Sequence, residues 1–175
     1  MRAFRIVLLA VAVLTFALSA LADGWIHTGD AVRTKSVGPF TAKVYAIRHD
    51  MKEKPESKSK QAVIEANVDK KFTWRMLRDV DSDKIKKAMR EAFALNGFGD
   101  GGRIDQFTSA FNKDEVKENS TVVISYSADK KATTIWVQNG GSATIAGDDF
   151  MRAVWSIWFG RIDQPSMGDQ LISLL

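Results

Sequence analysis

The stretch that decides the fold is Thr121-Val122-Val123-Ile124-Ser125-Tyr126-Ser127-Ala128-Asp129-Lys130-Lys131-Ala132-Thr133-Thr134-Ile135-Trp136-Val137-Gln138-Asn139-Gly140-Gly141-Ser142-Ala143-Thr144-Ile145. Val122, Ile124 and Tyr126 alternate along the chain, the period of a strand that buries one face. Ala128-Asp129-Lys130-Lys131 turns the chain and residues 135–137 return it. Asn139-Gly140 then supplies the dipeptide that tight hairpins favour, because both residue types tolerate positive φ. The reading is a three-stranded antiparallel meander with no helix between its strands.

Downstream, Asp148 or Asp149 is placed to cap a helix carrying Phe150, Met151, Val154, Trp155, Ile157 and Trp158. These occupy more than one stripe, so the helix is expected to be buried on most sides. Gly160 ends it, and a final amphipathic segment runs to Leu175. Upstream, Ile85, Ala88, Met89, Ala92 and Phe93 recur at helical spacing among Lys84, Lys86, Lys87, Arg90 and Glu91, which describes an amphipathic helix. Asp81 or Ser82 can cap its first amides and Asn96-Gly97 can end it. A shorter helix follows with Ile104, Phe107 and Phe111 on one side.

Residues 28–37 and 40–51 flank Gly38-Pro39 and read as a hairpin, the second arm rich in strand formers at Val44, Tyr45 and Ile47. Ala62-Val63-Ile64-Glu65-Ala66-Asn67-Val68 looks like a third strand. Residues 71–77, alternating Phe72, Trp74 and Met76 against Thr73 and Arg75, make a fourth. The expected total is seven strands. Strands, helices, strands and helices in that order, without a βαβ rhythm, argue α+β: a large antiparallel sheet with helices packed on one face.

The chain has 175 residues, 45% hydrophobic and 26% charged, the range of an ordinary globular protein. It contains no cysteine and only His27 and His49, which removes disulfides, thiolate ligands, cysteine nucleophiles and a polyhistidine metal site. Residues 1–22 read as a cleaved secretory signal: Arg2 and Arg5 give a positive start, an apolar run begins at Ile6, and Ala20-Leu21-Ala22 presents small residues for cleavage. The rival reading as a membrane anchor suffers because the apolar stretch of residues 6–22 spans 17 positions and is interrupted by Thr15 and Ser19, against roughly 20 needed to cross a bilayer. The domain is thus expected over residues 23–175, exported to the periplasm or secreted, with no stable membrane insertion once the signal is gone. Losing two arginines leaves 23 basic against 21 acidic residues, a formal charge of +2. So small a surplus, interleaved with acids, argues for no nucleic-acid partner. The lysine-rich run of residues 51–60 reads as a solvated loop.

Several motifs fail on context. Gly97-Phe98-Gly99-Asp100-Gly101-Gly102 matches a dinucleotide fingerprint by letter, yet a phosphate-binding turn follows a strand and these glycines follow a helix. They are read as a helix cap and loop. Asp79-Val80-Asp81-Ser82-Asp83 starts like a calcium loop, but Lys84 stands where a glycine must turn and Arg90 where a carboxylate must chelate. Asn119-Ser120-Thr121 is a glycosylation sequon, meaningful only in a eukaryotic source. No G-x-S-x-G elbow is present. Trp25, Trp74, Trp136, Trp155 and Trp158 are read chiefly as core, with lining of a ligand cavity as the alternative.

Gly29-Asp30-Ala31-Val32-Arg33-Thr34-Lys35, then Gly38-Pro39-Phe40 and Lys43-Val44-Tyr45-Ala46-Ile47, resembles the chalcone-isomerase-like family, in particular its exported bacterial branch. Met76-Leu77-Arg78-Asp79-Val80 before the helix, and Gly147-Asp148-Asp149-Phe150 leading to Trp155-Ser156-Ile157-Trp158-Phe159-Gly160, are similar to later landmarks of that family. The resemblance implies an open-faced β-sandwich in which sheet and helices enclose an apolar cleft. It also implies either an intramolecular lyase that closes a chalcone into a flavanone or a non-enzymatic fatty-acid binder. Arg33 is similar to the strand arginine that both groups place in the cleft. The enzymes' strand threonine, helix tyrosine and helix asparagine fall at Val44, Ile85 and Ala92, all apolar here, which argues against catalysis because cyclisation needs donors for the developing enolate. No catalytic residue, cofactor or metal is therefore assigned. The expectation is a binding protein for a small amphipathic or aromatic ligand such as a fatty acid, with Arg33 gripping the acidic head and Gln164 and Tyr45 as weaker candidates. The alternatives are the lyase and a scaffold that docks a partner through the loop of residues 97–103.

Overall fold

Gly38, at φ +59°, lets the chain double back after Ile26–Val37 (β1) into Phe40–Met51 (β2). The computed structural model describes residues 24–175, so the expected signal segment lies outside the described residues. After the hairpin come Lys60–Glu65 (α1), Lys70–Met76 (β3), Val80–Asp81 (β4), Ser82–Leu95 (α2), Gly101–Thr108 (α3) and Glu115–Val116 (β5). The meander follows as Thr121–Ser127 (β6), Ala132–Val137 (β7) and Ser142–Ala146 (β8), and the chain closes with Asp148–Phe159 (α4) and Ser166–Leu171 (α5). Six antiparallel strands form one sheet in the order β1-β2-β3-β6-β7-β8, while β4 and β5 pair as a separate two-residue ribbon. The fold is the α+β sheet with helices that the residue pattern implied.

Register explains the core. Ile47, Trp74, Val122 and Val137 stand side by side across four strands, and His49, Phe72, Ile124 and Ile135 form the next row. Every one of these side chains is buried. Helix α4 lies on these rows, with the Phe72 ring 5.1 Å from Trp155 and 4.6 Å from Trp158. As its several stripes implied, eight of its residues are buried.

Three expectations need correction. The proposed third strand is instead helix α1. With β2 on one side of β3 and β6 on the other, both positions beside the strand that this segment leads into are taken, and strand propensity yields to context. Ser59 caps the helix by accepting from Ala62 N, and Lys70 Nζ donates to its last carbonyls, Val63 O at 2.7 Å and Ile64 O at 3.1 Å. The count of seven strands becomes six in the sheet plus the small ribbon. Finally, Gly147, not an aspartate, stands at the N-cap of α4. Asp148 Oδ1 instead accepts from Tyr126 OH at 2.7 Å, and Asp149 takes two bonds from Arg103 at 3.1 and 2.7 Å. Both carboxylates still lie in the first turn, where the helix dipole favours them.

Strand β1 is a sheet edge, and the C-terminal segment covers it. Thr28 O accepts from Leu174 N, and Thr28 Oγ1 donates to Leu171 O. Gly29 permits this packing, since a Cβ there would lie 2.1 Å from Gln170 O.

Candidate functional site

A cleft of about 690 Å³ opens between α2 and the end of the sheet formed by β1, β2 and β3. Its sheet wall comes from Val44, Tyr45, Trp74 and Met76, its helix wall from Ile85, Ala88 and Ala92, and its floor from Ile157 and Trp158 of α4. The stripe on α2 is thus graded: Phe93 enters the core, Met89 is buried at the cleft's edge, and Ile85, Ala88 and Ala92 face the cleft, which no other described element fills.

A β-bulge aims the sheet residues. Arg33 pairs with Tyr45, but the next residue, Thr34, pairs with Lys43, leaving Val44 unmatched. An extra residue bends the strand and redirects side chains, so the consecutive Val44 and Tyr45 both reach the cleft. Tyr45 stacks on Trp74 at 4.6 Å between ring centroids with the planes 7° apart. Its phenol oxygen accepts from Trp158 Nε1 at 3.1 Å, and its own O–H has no acceptor among the described residues. Burial is the main reason its pKa is raised; Trp158 and Arg33 oppose that shift. The phenol therefore stays protonated and can donate.

Arg33 lines the same end of the cleft, its side chain only 18% exposed. Its Nη1 lies 2.6 Å from Asp163 Oδ1, a contact of opposite charges whose N–H is not aligned as a hydrogen bond. Arg33 is the first cause of the lowered pKa of Asp163. Around the mouth, Arg78, Lys84 and Arg161 have no ion-pair partner among the described residues. The lining as a whole carries six basic side chains against four acidic ones, Asp79, Asp81, Glu91 and Asp163, a modest positive surplus that favours anions.

Arg33 and Tyr45 are therefore brought together as cross-strand partners facing the cleft, whereas Gln164 is turned to another task. Its Oε1 accepts from Thr34 N at 3.0 Å and Thr34 Oγ1 at 3.2 Å, and its Nε2 donates to Val32 O at 2.9 Å. The side-chain amide thus imitates a neighbouring strand along the edge of β1, and Gln164 does not line the cleft. Val44, Ile85 and Ala92, all apolar, do line it. The loop of residues 97–103 lies elsewhere. Its last three residues begin α3, and Arg103 is held by Asp100 as well as Asp149. The approach of Asp163 to Arg33 and of Trp158 to Tyr45 is not legible in the sequence, because no local spacing links positions 130 and 113 residues apart.

A six-stranded antiparallel sheet faced by helices, with an apolar cleft between sheet and helix that carries an arginine and a tyrosine at one end, is an open-faced β-sandwich. The chain belongs to the chalcone isomerase-like family, whose model matches residues 27–168. Among solved structures it is similar to a fatty-acid binding protein of Arabidopsis thaliana, with a TM-score of 0.68 at 16% identity, covering 88% of this chain and 90% of that one. That likeness is one of fold. No curated protein matches the sequence significantly. Among the described residues, no helix is long and apolar enough to cross a membrane.

Proposed function

We propose that this protein binds a small amphipathic acid, such as a fatty acid, without transforming it. The observation that carries the reading is the cleft itself: apolar along both walls, with Arg33 and the Tyr45 hydroxyl at one end and a modest positive surplus in its lining. An acyl chain in such a space would remove apolar surface from water at about 25 cal/mol per Å². A guanidinium would hold the carboxylate while remaining charged in a partly dry site. The fatty-acid binding protein of similar fold supports this ligand class.

The non-catalytic part of the proposal is supported by Val44, Ile85 and Ala92. Three positions on the cleft wall that align with polar groups of the enzymes have no hydrogen to donate from their side chains. Removing a single donor to a developing oxyanion costs about 2.7 to 4 kcal/mol of barrier. We also propose export, on the leader-like residues 1–22; N-terminal sequencing of the protein from its host should then begin near Asp23.

The direct experiment is extraction of the purified protein into organic solvent and mass spectrometry of what is released, beside the Ala92→Trp variant. Acidic lipid is expected in stoichiometric amount from the wild type and strongly reduced from the variant, whose indole would occupy the cleft. Equal recovery from both would put the ligand elsewhere. No acidic lipid in the wild type, combined with no binding of added palmitate, would remove the assignment.

A further inference from the structure

The Arg33 charge is matched within the protein by Asp163. Asp163, half exposed on the connection between α4 and α5, sets Oδ1 2.6 Å from Arg33 Nη1, and Lys35 Nζ stands 4.0 Å from its other oxygen. An acid arriving at this end of the cleft would meet a carboxylate where its own carboxylate should go. With Asp163 already set against Nη1, a second carboxylate approaching that same nitrogen is repelled by the first.

The backbone around Asp163 is pinned on both sides. Asn96 Oδ1 accepts from Arg161 N at 2.7 Å and Asn96 Nδ2 donates to Arg161 O at 3.0 Å. Gln164 is fixed to Val32 and Thr34 on β1. Ile162 and Asp163 alone lie between these anchors, so a shift of the whole connection would break several hydrogen bonds. The Asp163 side chain is 58% exposed, against 18% for Arg33, and can turn toward water by rotating about its own bonds without disturbing either anchor.

Resting on the binding function proposed above, we propose that Asp163 is a built-in competitor for the ligand's head: it pairs with the Arg33 guanidinium and is displaced into solvent, by side-chain rotation alone, when a ligand carboxylate takes its place. The exchange leaves the charge around Arg33 unchanged, because one carboxylate replaces another. It also makes Asp163 a specificity residue. Its removal should favour ligands with an anionic head and leave those with a neutral head unaffected.

The test is titration of wild type and Asp163→Asn with palmitate and with 1-hexadecanol, two probes of equal chain length. Asp163→Asn is expected to bind palmitate roughly two- to fivefold more tightly, the range a partly exposed ion pair supports, with hexadecanol binding unchanged from wild type. Equal or weaker palmitate binding in the variant, with wild type binding normally, would overturn the competitor while leaving the binding function standing. Failure of both proteins to bind palmitate overturns both. A second measurement uses only the wild-type protein: carbon-detected NMR of the Asp163 carboxyl. Saturation with palmitate should raise its pKa toward the ordinary aspartate range as Arg33 is taken away. A pKa that stays low in the complex contradicts displacement.

Discussion

Trp155 Nε1 donates to His49 Nε2 across 2.9 Å, and this one bond fixes the tautomer of a fully buried ring. With Nε2 accepting, the proton sits on Nδ1 and is donated to Thr28 Oγ1 at 2.6 Å, and Thr28 in turn donates to Leu171 O at 2.7 Å. A single relay thus ties β2 to α4, to the edge strand and to the C-terminal helix. Burial foremost, then the charges of Lys70 and His27, holds His49 well below the ordinary histidine pKa.

Stability should therefore depend on pH through this ring. In the unfolded chain His49 takes up a proton near pH 6.5, while the folded ring stays neutral far below that. Protons then bind preferentially to the unfolded state, so stability is fully held above about pH 6.5 and lost as pH falls below it. Urea unfolding midpoints should fall between pH 7 and 5, and nitrogen NMR should show the Nδ1–H tautomer unchanged over that range. A ring that titrates near 6.5 in the folded protein contradicts this assignment.

Lys70 acts in a different window. It is fully buried, with its ammonium 4.9 Å from the Trp155 ring centroid, and burial lowers its pKa to about 7 despite the opposing charge of Glu65. Its unfolded value is about 10.4, so between roughly pH 7 and 10 the unfolded chain holds the extra proton and stability rises with pH. Below pH 7 both states are protonated and this group adds no slope. Lys70→Met should abolish the rise between pH 7 and 9.5 in urea titrations; a rise that persists in the variant would assign it to another group.

Where residues act through periodicity, the sequence was readable. Alternation at Phe72, Trp74 and Met76, and at Val122, Ile124 and Tyr126, identified the buried sheet face, and the helical spacing from Ile85 to Phe93 identified α2. The misreading at Val63 and Ile64 arose because two adjacent β-branched residues suit either element, and only the crowded sheet around β3 decides between them. Arg33 and Tyr45 could be named from a resemblance. Their pairing across the bulge at Val44, and the approach of Asp163 to Arg33, depend on register and on a distant connection that no local pattern encodes.

Gln164 shows how the right region can be chosen for the wrong task. Gln164→Ala removes one acceptor and one donor from the edge of β1 and should cost about 1 to 2 kcal/mol of stability in denaturant unfolding. Palmitate affinity should remain within twofold of wild type, because the side chain does not border the cleft. Reduced affinity at unchanged stability would return Gln164 to the binding site.

The most direct test compares palmitate with methyl palmitate on wild type and Arg33→Gln. The two probes share an acyl chain and differ in head charge. Loss of a charged hydrogen-bond partner worth about 1.5 to 3 kcal/mol should weaken palmitate roughly ten- to 150-fold. The ester, which gives the guanidinium no charge to hold, should bind both proteins alike. Equal loss for acid and ester, or no loss for either, would contradict a guanidinium that recognises an acidic head at the end of an apolar cleft.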